Sequence, residues 1–336
     1  MRTVVVGCGA WGTTLAHLMA TKAERVSLIC HDAAIIDEIN STHTLAKLLP
    51  PFPLIHPNVM PKPMSALSSE IKQAELVFIV VASSFYRQIL TEVLKDLPPK
   101  AILLSATKGM ETQTNRSVLE IATEVLPSTV MNERFVVLSG PNLATEIFLG
   151  LPAATVLACQ NIEVAKVVQS AMSSTAFRAY VSTDIVGVEY GGILKNIIAI
   201  AAGILDAKKL GSNAKSALLV RGMAEMRRYA LHEGAKDETL YGLSGFGDLI
   251  TTCLGPQSRN YSVGFRLGQG ESLQTILENS VAVAEGINAC LVVSQRSAEM
   301  GIAMPITQAV AAVLTQQLSI DKAIEALMTR ELKEED

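Results

Sequence analysis

The chain has 336 residues, of which 49% are hydrophobic, 4% aromatic and 18% charged, with a formal net charge of -4. That length allows two ordinary domains and a large core built from Ala, Leu, Val, Ile and Met rather than aromatics. The small negative charge and the lack of any basic run argue against nucleic acid as a partner, so an anionic ligand must be held by a few placed cations.

The run Thr3–Val6 reads as a strand that begins almost at once, so no signal peptide is expected. Further strands are predicted at Arg25–Ile29, Leu76–Val81, Ala101–Ser105, Phe135–Ser139, Ala153–Ala158 and Phe177–Val181. Amphipathic helical patterns lie between them at Thr13–Thr21, Phe85–Lys95, Asn115–Val125 and Ile162–Met172. This alternation predicts an α/β Rossmann-type domain with a mostly parallel sheet covered on both faces. The six prolines at 50, 51, 53, 57, 61 and 63 predict an irregular surface excursion.

Near Asp184 the texture changes to long helical periodicity, at Ile185–Leu205, Ser212–Gly234, Ser280–Met300 and Pro305–Gln317. The expected division is a dinucleotide-binding domain over 1–183 and an all-α substrate domain over 184–336. The longest uninterrupted apolar run, Ile197–Leu205, falls well short of the ~18 residues of a membrane span, and no membrane insertion is expected. Five scattered cysteines (Cys8, Cys30, Cys159, Cys253, Cys290) form no C-x-x-C pair. They point to a reducing, cytoplasmic setting without disulfides and without a metal site.

Gly7-Cys8-Gly9-Ala10-Trp11-Gly12 follows a strand and opens a helix, the context that gives G-x-G-x-x-G its meaning. Gly7 permits the turn, Gly9 lets a pyrophosphate approach the backbone, and Gly12 packs the helix on the sheet. The helix N-terminus then offers free N–H groups to phosphate. Twenty residues after Gly12, Asp32 either holds a ribose hydroxyl or caps the following helix. His31 faces the ribose 2′ position, where a neutral imidazole suits NAD and an imidazolium helps bind NADP.

Lys108 follows a strand at the sheet edge where ligands bind, and reads as an anion-binding residue or an ordinary loop lysine. Asn142, in Ser139-Gly140-Pro141-Asn142, either hydrogen-bonds a hydroxyl or carbonyl or serves the turn. Lys195 interrupts an apolar helix, Gly191 to Ile200. Its desolvation lowers its pKa toward that of a general base, unless the side chain snorkels to the surface. Gly191 and Gly192, one turn earlier, leave room for a ligand against the backbone. Asp248 follows three glycines and either orients Lys195, bonds a substrate hydroxyl or caps a helix. Ser258 as cap, with Arg259 and Asn260 in the first turn, makes a phosphate site. A cation there opposes the helix dipole, and a bound anion would account for it.

In order, GCGAWG, SATKGME, SGPNLATE, GGILKNIIAI, LSGFGDLITTC, QSRN, VAEG and MPIT resemble the bacterial-type NAD(P)-dependent glycerol-3-phosphate dehydrogenase family over essentially the whole chain. The resemblance implies hydride transfer between glycerol 3-phosphate and dihydroxyacetone phosphate with NAD(H) or NADP(H), supplying glycerol 3-phosphate for phospholipid synthesis. It makes Lys195 the proton acceptor, and Lys108, Gly140, Asn142, Asp248, Ser258, Arg259 and Asn260 the substrate site, with Thr252 in support. Trp11, His31, Lys108, Ala144, Arg259, Val283 and Glu285 fall at cofactor-contacting positions. Many relatives carry Arg in place of His31, and bacterial ones often have Ser or Thr in place of Asn142. A homodimer through the helical half fits the resemblance and the low charge. The rivals are a β-hydroxyacid or 6-phosphogluconate type dehydrogenase, which lacks the QSRN site, and a dinucleotide sensor, which leaves Lys195 idle.

Overall fold

The computed structural model describes residues 1–279, 284–332 and 334. The chain opens with β1 (Thr3–Val6), α1 (Ala10–Ala20), β2 (Val26–Cys30), α2 (Ala33–Thr42) and β3 (Val59–Pro63). Next come α3 (Leu67–Ile71), β4 (Leu76–Ile79), α4 (Ser83–Asp96) and β5 (Ile102–Ser105). A small hairpin, β6 (Met110–Glu111) with β7 (Arg116–Ser117), leads into α5 (Val118–Val125) and α6 (Ser128–Arg134). Then follow β8 (Phe135–Ser139), α7 (Ala144–Phe148), β9 (Ala153–Ala158), α8 (Ile162–Met172) and β10 (Phe177–Ser182).

Eight strands form one sheet in the order β10-β9-β8-β5-β4-β1-β2-β3. Neighbours are parallel except β8 and β9, so β9 and β10 run against the other six. The central strands are buried throughout because both faces are covered. Val5, Leu28, Phe78 and Leu104 pack on one side, and Val4, Val77, Ile79 and Leu103 on the other. The strand order reverses between β1 and β4, which opens a crevice at their C-terminal ends.

The Pro-rich excursion is only partly irregular, because Val59–Pro63 adds β3 to the sheet edge, parallel to β2. Pro61 and Pro63 alternate with Met60 and Lys62. Their missing N–H groups therefore fall on the open side of an edge strand, where no partner needs them. The helix expected from Asn115 begins at Val118. Asn115 has a φ of 56°, and Ser117 caps α5 in a reciprocal box with Glu120.

After Ser182 no strand occurs among the described residues. The helices are α9 (Ile185–Ala207), α10 (Gly211–His232), α11 (Asp237–Leu240), α12 (Asp248–Cys253) and α13 (Arg259–Gly268). They continue with α14 (Leu273–Glu278), α15 (Glu285–Glu299), α16 (Pro305–Leu314) and α17 (Ile320–Met328). Every residue of α9 from Gly187 to Ile204 is buried. A helix apolar on all sides must be wrapped, and here α10, α12, α13 and α15 wrap it. Its length and hydropathy would let it cross a membrane, yet it forms the centre of the helical core.

Where α13 crosses α9, two glycines face the opposing backbone. A Cβ on Gly203 would lie 2.1 Å from the Tyr261 carbonyl oxygen, and one on Gly264 1.9 Å from that of Ile200. The separation of these two helices is thus fixed by backbone contact, with no side chain between them to yield.

Candidate active site

The glycine loop lies at the C-terminal end of β1. Gly7 has a φ of 118°, and a Cβ there would lie 2.2 Å from the Val80 carbonyl oxygen. A Cβ on Gly12 would lie 1.9 Å from the Gly7 carbonyl oxygen, so α1 rests directly on the turn. Nothing stands within 4 Å of where a Cβ of Gly9 would be. The N-terminus of α1 carries no side-chain cap and no acid in its first turn, so its N–H groups are open to an anion. The loop therefore suits a dinucleotide pyrophosphate.

Around this cradle, Trp11 is half-buried and His31 is exposed. Asp32 caps α2, its Oδ1 accepting from the Ala34 amide at 2.9 Å. Ala144 starts α7, and its carbonyl accepts from Thr14 of α1 at 3.3 Å, which brings that helix against the cradle.

A second group of residues meets at the ends of β5 and β8. Lys195 Nζ donates to Asp248 Oδ1 at 2.9 Å and to Thr252 Oγ1 at 2.6 Å. Thr252 in turn donates to the same Asp248 oxygen at 3.2 Å. Lys108 Nζ donates to the other oxygen, Asp248 Oδ2, at 2.8 Å and to the Gly140 carbonyl at 3.2 Å. One buried carboxylate is thus shared by two lysines. Burial lowers Lys195 to about 8; Asp248 opposes that fall and Lys108 adds to it. Burial by itself would raise the Asp248 carboxyl, but Lys108 and then Lys195 hold it below the usual carboxylate range.

The room expected beside Gly191 and Gly192 is filled by protein. A Cβ on Gly191 would lie 2.5 Å from the Ser244 carbonyl oxygen, and one on Gly192 2.6 Å from Ser139 Oγ and 3.2 Å from Lys108 Cδ. These glycines seat the 244–245 turn and the Lys108 stem against α9, one turn before Lys195. They do not make space for a ligand.

Ser258 caps α13, accepting from the Tyr261 amide at 3.2 Å. Asn260 is buried and accepts from the Gly286 amide at 2.9 Å, beside the Asn196 carbonyl. Arg259 is exposed and electrostatically attracted to Glu285. Glu285 accepts from the Ser83 amide at 2.9 Å and the Ser83 hydroxyl at 2.5 Å, which ties the start of α15 to the start of α4. Burial raises the Glu285 carboxyl despite those bonds.

Lys108, Gly140, Lys195, Asp248 and Thr252 therefore converge, and Ser258, Arg259, Asn260 and Glu285 form an adjoining wall. Asn142 turns elsewhere. Its Nδ2 donates to the Ala154 carbonyl at 3.0 Å and its Oδ1 accepts from Thr155 at 2.8 Å, both on β9. Val283 lies outside the described residues. Sequence reasoning did not single out Ser83. A serine opening the helix after β4 was its only local signal. Asn196, next to Lys195, donates through Nδ2 to the Gly192 carbonyl at 3.2 Å.

A glycine-loop cradle at the switch point, together with a buried lysine of the central helix α9 paired to the carboxylate that opens α12, defines a dinucleotide-dependent dehydrogenase. Two family models match, described as the N-terminus of NAD-dependent glycerol-3-phosphate dehydrogenase (residues 2–165) and its C-terminus (residues 184–325). The chain is 41% identical to a glycerol-3-phosphate dehydrogenase [NAD(P)+] of Gloeobacter violaceus, over all of this chain and 99% of that protein. It is also 41% identical to one of Trichlorobacter lovleyi, again over all of this chain and 99% of the relative. The crystal structure of glycerol-3-phosphate dehydrogenase from Coxiella burnetii superposes with a TM-score of 0.89 at 34% identity, covering 98% of each chain. The chain belongs to the NAD-dependent glycerol-3-phosphate dehydrogenase family. A D-mandelate dehydrogenase structure, at 14% identity and a TM-score of 0.62, shares the fold alone.

Proposed function

We propose that this protein interconverts sn-glycerol 3-phosphate and dihydroxyacetone phosphate with NAD(H) or NADP(H), and so supplies glycerol 3-phosphate for phospholipid synthesis. The observation that carries the reading is the Lys195–Asp248–Lys108 cluster at the crevice. Residues 1–183 hold the dinucleotide and residues 184–336 complete the substrate site. The glycine loop of Gly7, Gly9 and Gly12 would hold the dinucleotide, which would supply hydride-transfer chemistry for the substrate's C2.

Lys195 is the general base in the oxidative direction. As a neutral amine it has two N–H bonds and one lone pair. Asp248 and Thr252 accept the two N–H groups, which leaves the lone pair for the C2 hydroxyl proton. In the reductive direction the third hydrogen of its ammonium polarises and then protonates the ketone. Asp248 holds Nζ in place, and the Lys108 charge keeps Lys195 easy to deprotonate. Ser258, Arg259 and Asn260 bind the phosphate at the α13 N-terminus. That contact is remote from the reacting carbon, so it supplies orientation for the chemical step. Trp11, His31, Ala144 and Glu285 border the dinucleotide together with Gly7, Gly9 and Gly12. Asn142, its amide occupied by β9, acts by shaping the turn that carries Gly140. A cytoplasmic homodimer joined through the helical half fits the low charged fraction of 18%.

The test is oxidation of NADH and of NADPH by dihydroxyacetone phosphate, for wild type and Lys195→Ala. Turnover that collapses in the variant with unchanged cofactor Kd is the expected result. No wild-type turnover with either cofactor overturns the substrate assignment. Turnover surviving in the variant overturns the role of Lys195.

A further inference from the structure

α4 opens at the C-terminal end of β4 with no cap of its own: Ala82 offers no side-chain acceptor, and the first turn holds no acid. The acceptor comes from the other half of the chain. Glu285, the first residue of α15, takes the Ser83 amide on Oε1 at 2.9 Å and the Ser83 hydroxyl on Oε2 at 2.5 Å. Ser83 is fully buried. The seat is closed by the residue after Lys108, since a Cβ on Gly109 would lie 2.4 Å from Glu285 Oε2 and 2.8 Å from Ser83 Cβ. Glu285 is thus held between α4 and the loop that carries Lys108.

The next residue carries that restraint into the phosphate site. The Gly286 amide donates to Asn260 Oδ1 at 2.9 Å. A backbone N–H can only donate, so this bond decides how the Asn260 amide faces: Oδ1 toward α15, and Nδ2 with its two hydrogens away from it. Those hydrogens are what Asn260 can offer a phosphate oxygen. Gly286 itself sits tight, because a Cβ there would lie 2.7 Å from Asn260 Oδ1 and 2.9 Å from the Asn196 carbonyl oxygen. The start of α15 therefore rests on α9 one residue beyond Lys195, holds Asn260 of α13, and is itself held by Ser83. Arg259, attracted to Glu285, belongs to the same joint.

We infer that Ser83 is a positioning residue for the phosphate end of the substrate: by fixing Glu285, it sets the Gly286 amide that orients Asn260. The inference rests on the substrate reading above. Ser83 acts through Glu285 and Gly286 and does not itself touch the phosphate. Asn260 holds the phosphate throughout the reaction, so loosening it weakens ground state and transition state alike. The loss therefore belongs in KM.

A double-mutant cycle tests it: steady-state reduction of dihydroxyacetone phosphate by wild type, Ser83→Ala, Asn260→Ala and the double variant. Glu285 also borders the dinucleotide, so the kinetics run at saturating cofactor, with its Kd measured for each variant. Ser83→Ala is expected to raise KM by about three- to tenfold, the worth of one hydrogen bond, and to leave kcat within about twofold. In the Asn260→Ala background the same change should move kcat/KM by less than about twofold, because the group it positions is gone. An unchanged KM, a loss confined to kcat, or the same loss of kcat/KM in both backgrounds would show that Ser83 only supports the fold, and overturn the inference. Should Ser83→Ala not fold, Ser83→Cys, whose thiol is a weak donor, replaces it. Wild-type protein that does not reduce dihydroxyacetone phosphate overturns the substrate reading itself, a failure distinct from an additive cycle.

Discussion

Replacing Gly264 by alanine tests whether the distance between base and phosphate site is set by the α9–α13 crossing. The new Cβ would start 1.9 Å from the Ile200 carbonyl oxygen, where real Cβ atoms essentially never come within 3.0 Å. The helices must then part by roughly 1 Å, because both neighbours are backbone and neither can rotate away. Lys195 rides on α9, and Ser258, Arg259 and Asn260 ride on α13. With the substrate held from both ends as proposed, this parting misplaces its C2 relative to Nζ. A misplacement of that size costs on the order of 10²-fold in rate. Overpacking also destabilises by about 1–3 kcal/mol, offset in part by about 1 kcal/mol of improved helix propensity. The assay is steady-state kinetics with dihydroxyacetone phosphate at saturating cofactor, with circular dichroism and cofactor Kd as controls. A folded Gly264→Ala protein whose kcat/KM stays within about threefold of wild type would refute the reasoning.

Lys195, lowered to about 8 by burial, must be neutral to act as the proposed base in the oxidation of glycerol 3-phosphate. Oxidation should therefore rise with pH and level off above about 8, while ketone reduction should fall over the same range, as a pH profile of kcat/KM would show. Asp248→Asn removes the charge that holds Lys195 up. Whatever oxidation remains should have its limb shifted to lower pH, and a shift to higher pH would contradict the role given to Asp248. Glu189, wholly buried, has its carboxyl raised to about 8 by burial. Its folded pKa exceeds the unfolded value of 4.5, so its stabilising protonated form is fully present below 4.5 and is lost as pH rises toward 8. Glu189→Gln cannot ionise, and its Tm relative to wild type should climb between pH 5 and pH 8. A gap that stays flat with pH would show that Glu189 is ionised in the folded protein.

The parts of the fold legible in sequence were those with a local signature. The glycine loop sits in its strand–helix frame, the apolar strands reveal a sheet covered on both faces, and the change of texture near Asp184 precedes α9. Lys195 stood out because a cation in the run Gly191 to Ile200 needs a reason. The rest depended on contacts between distant residues. Asp248 lies 53 positions from Lys195, and nothing local shows that it also holds Lys108. Glu285 reaches Ser83 across 202 positions, a tie that only the folded arrangement creates. Asn142 looked free to bind substrate because Thr155, which occupies its amide, belongs to a strand running against β8. Gly191 and Gly192 do not leave the expected room for a ligand, because a missing Cβ reads the same in sequence whether a ligand or the protein itself fills the space. β3 was missed because its prolines argue against a strand, an argument that lapses at a sheet edge.

The burial of α9 bears on how such an enzyme could change over time. The helix is both the foundation of the helical half and the carrier of Lys195, so almost any substitution along it is first a challenge to folding. Novelty in substrate choice has little room to enter there. It would have to arise in the segments leaning on that helix, the turn before Asp248 and the cap of α13, where side chains can be exchanged while the foundation stays as it is.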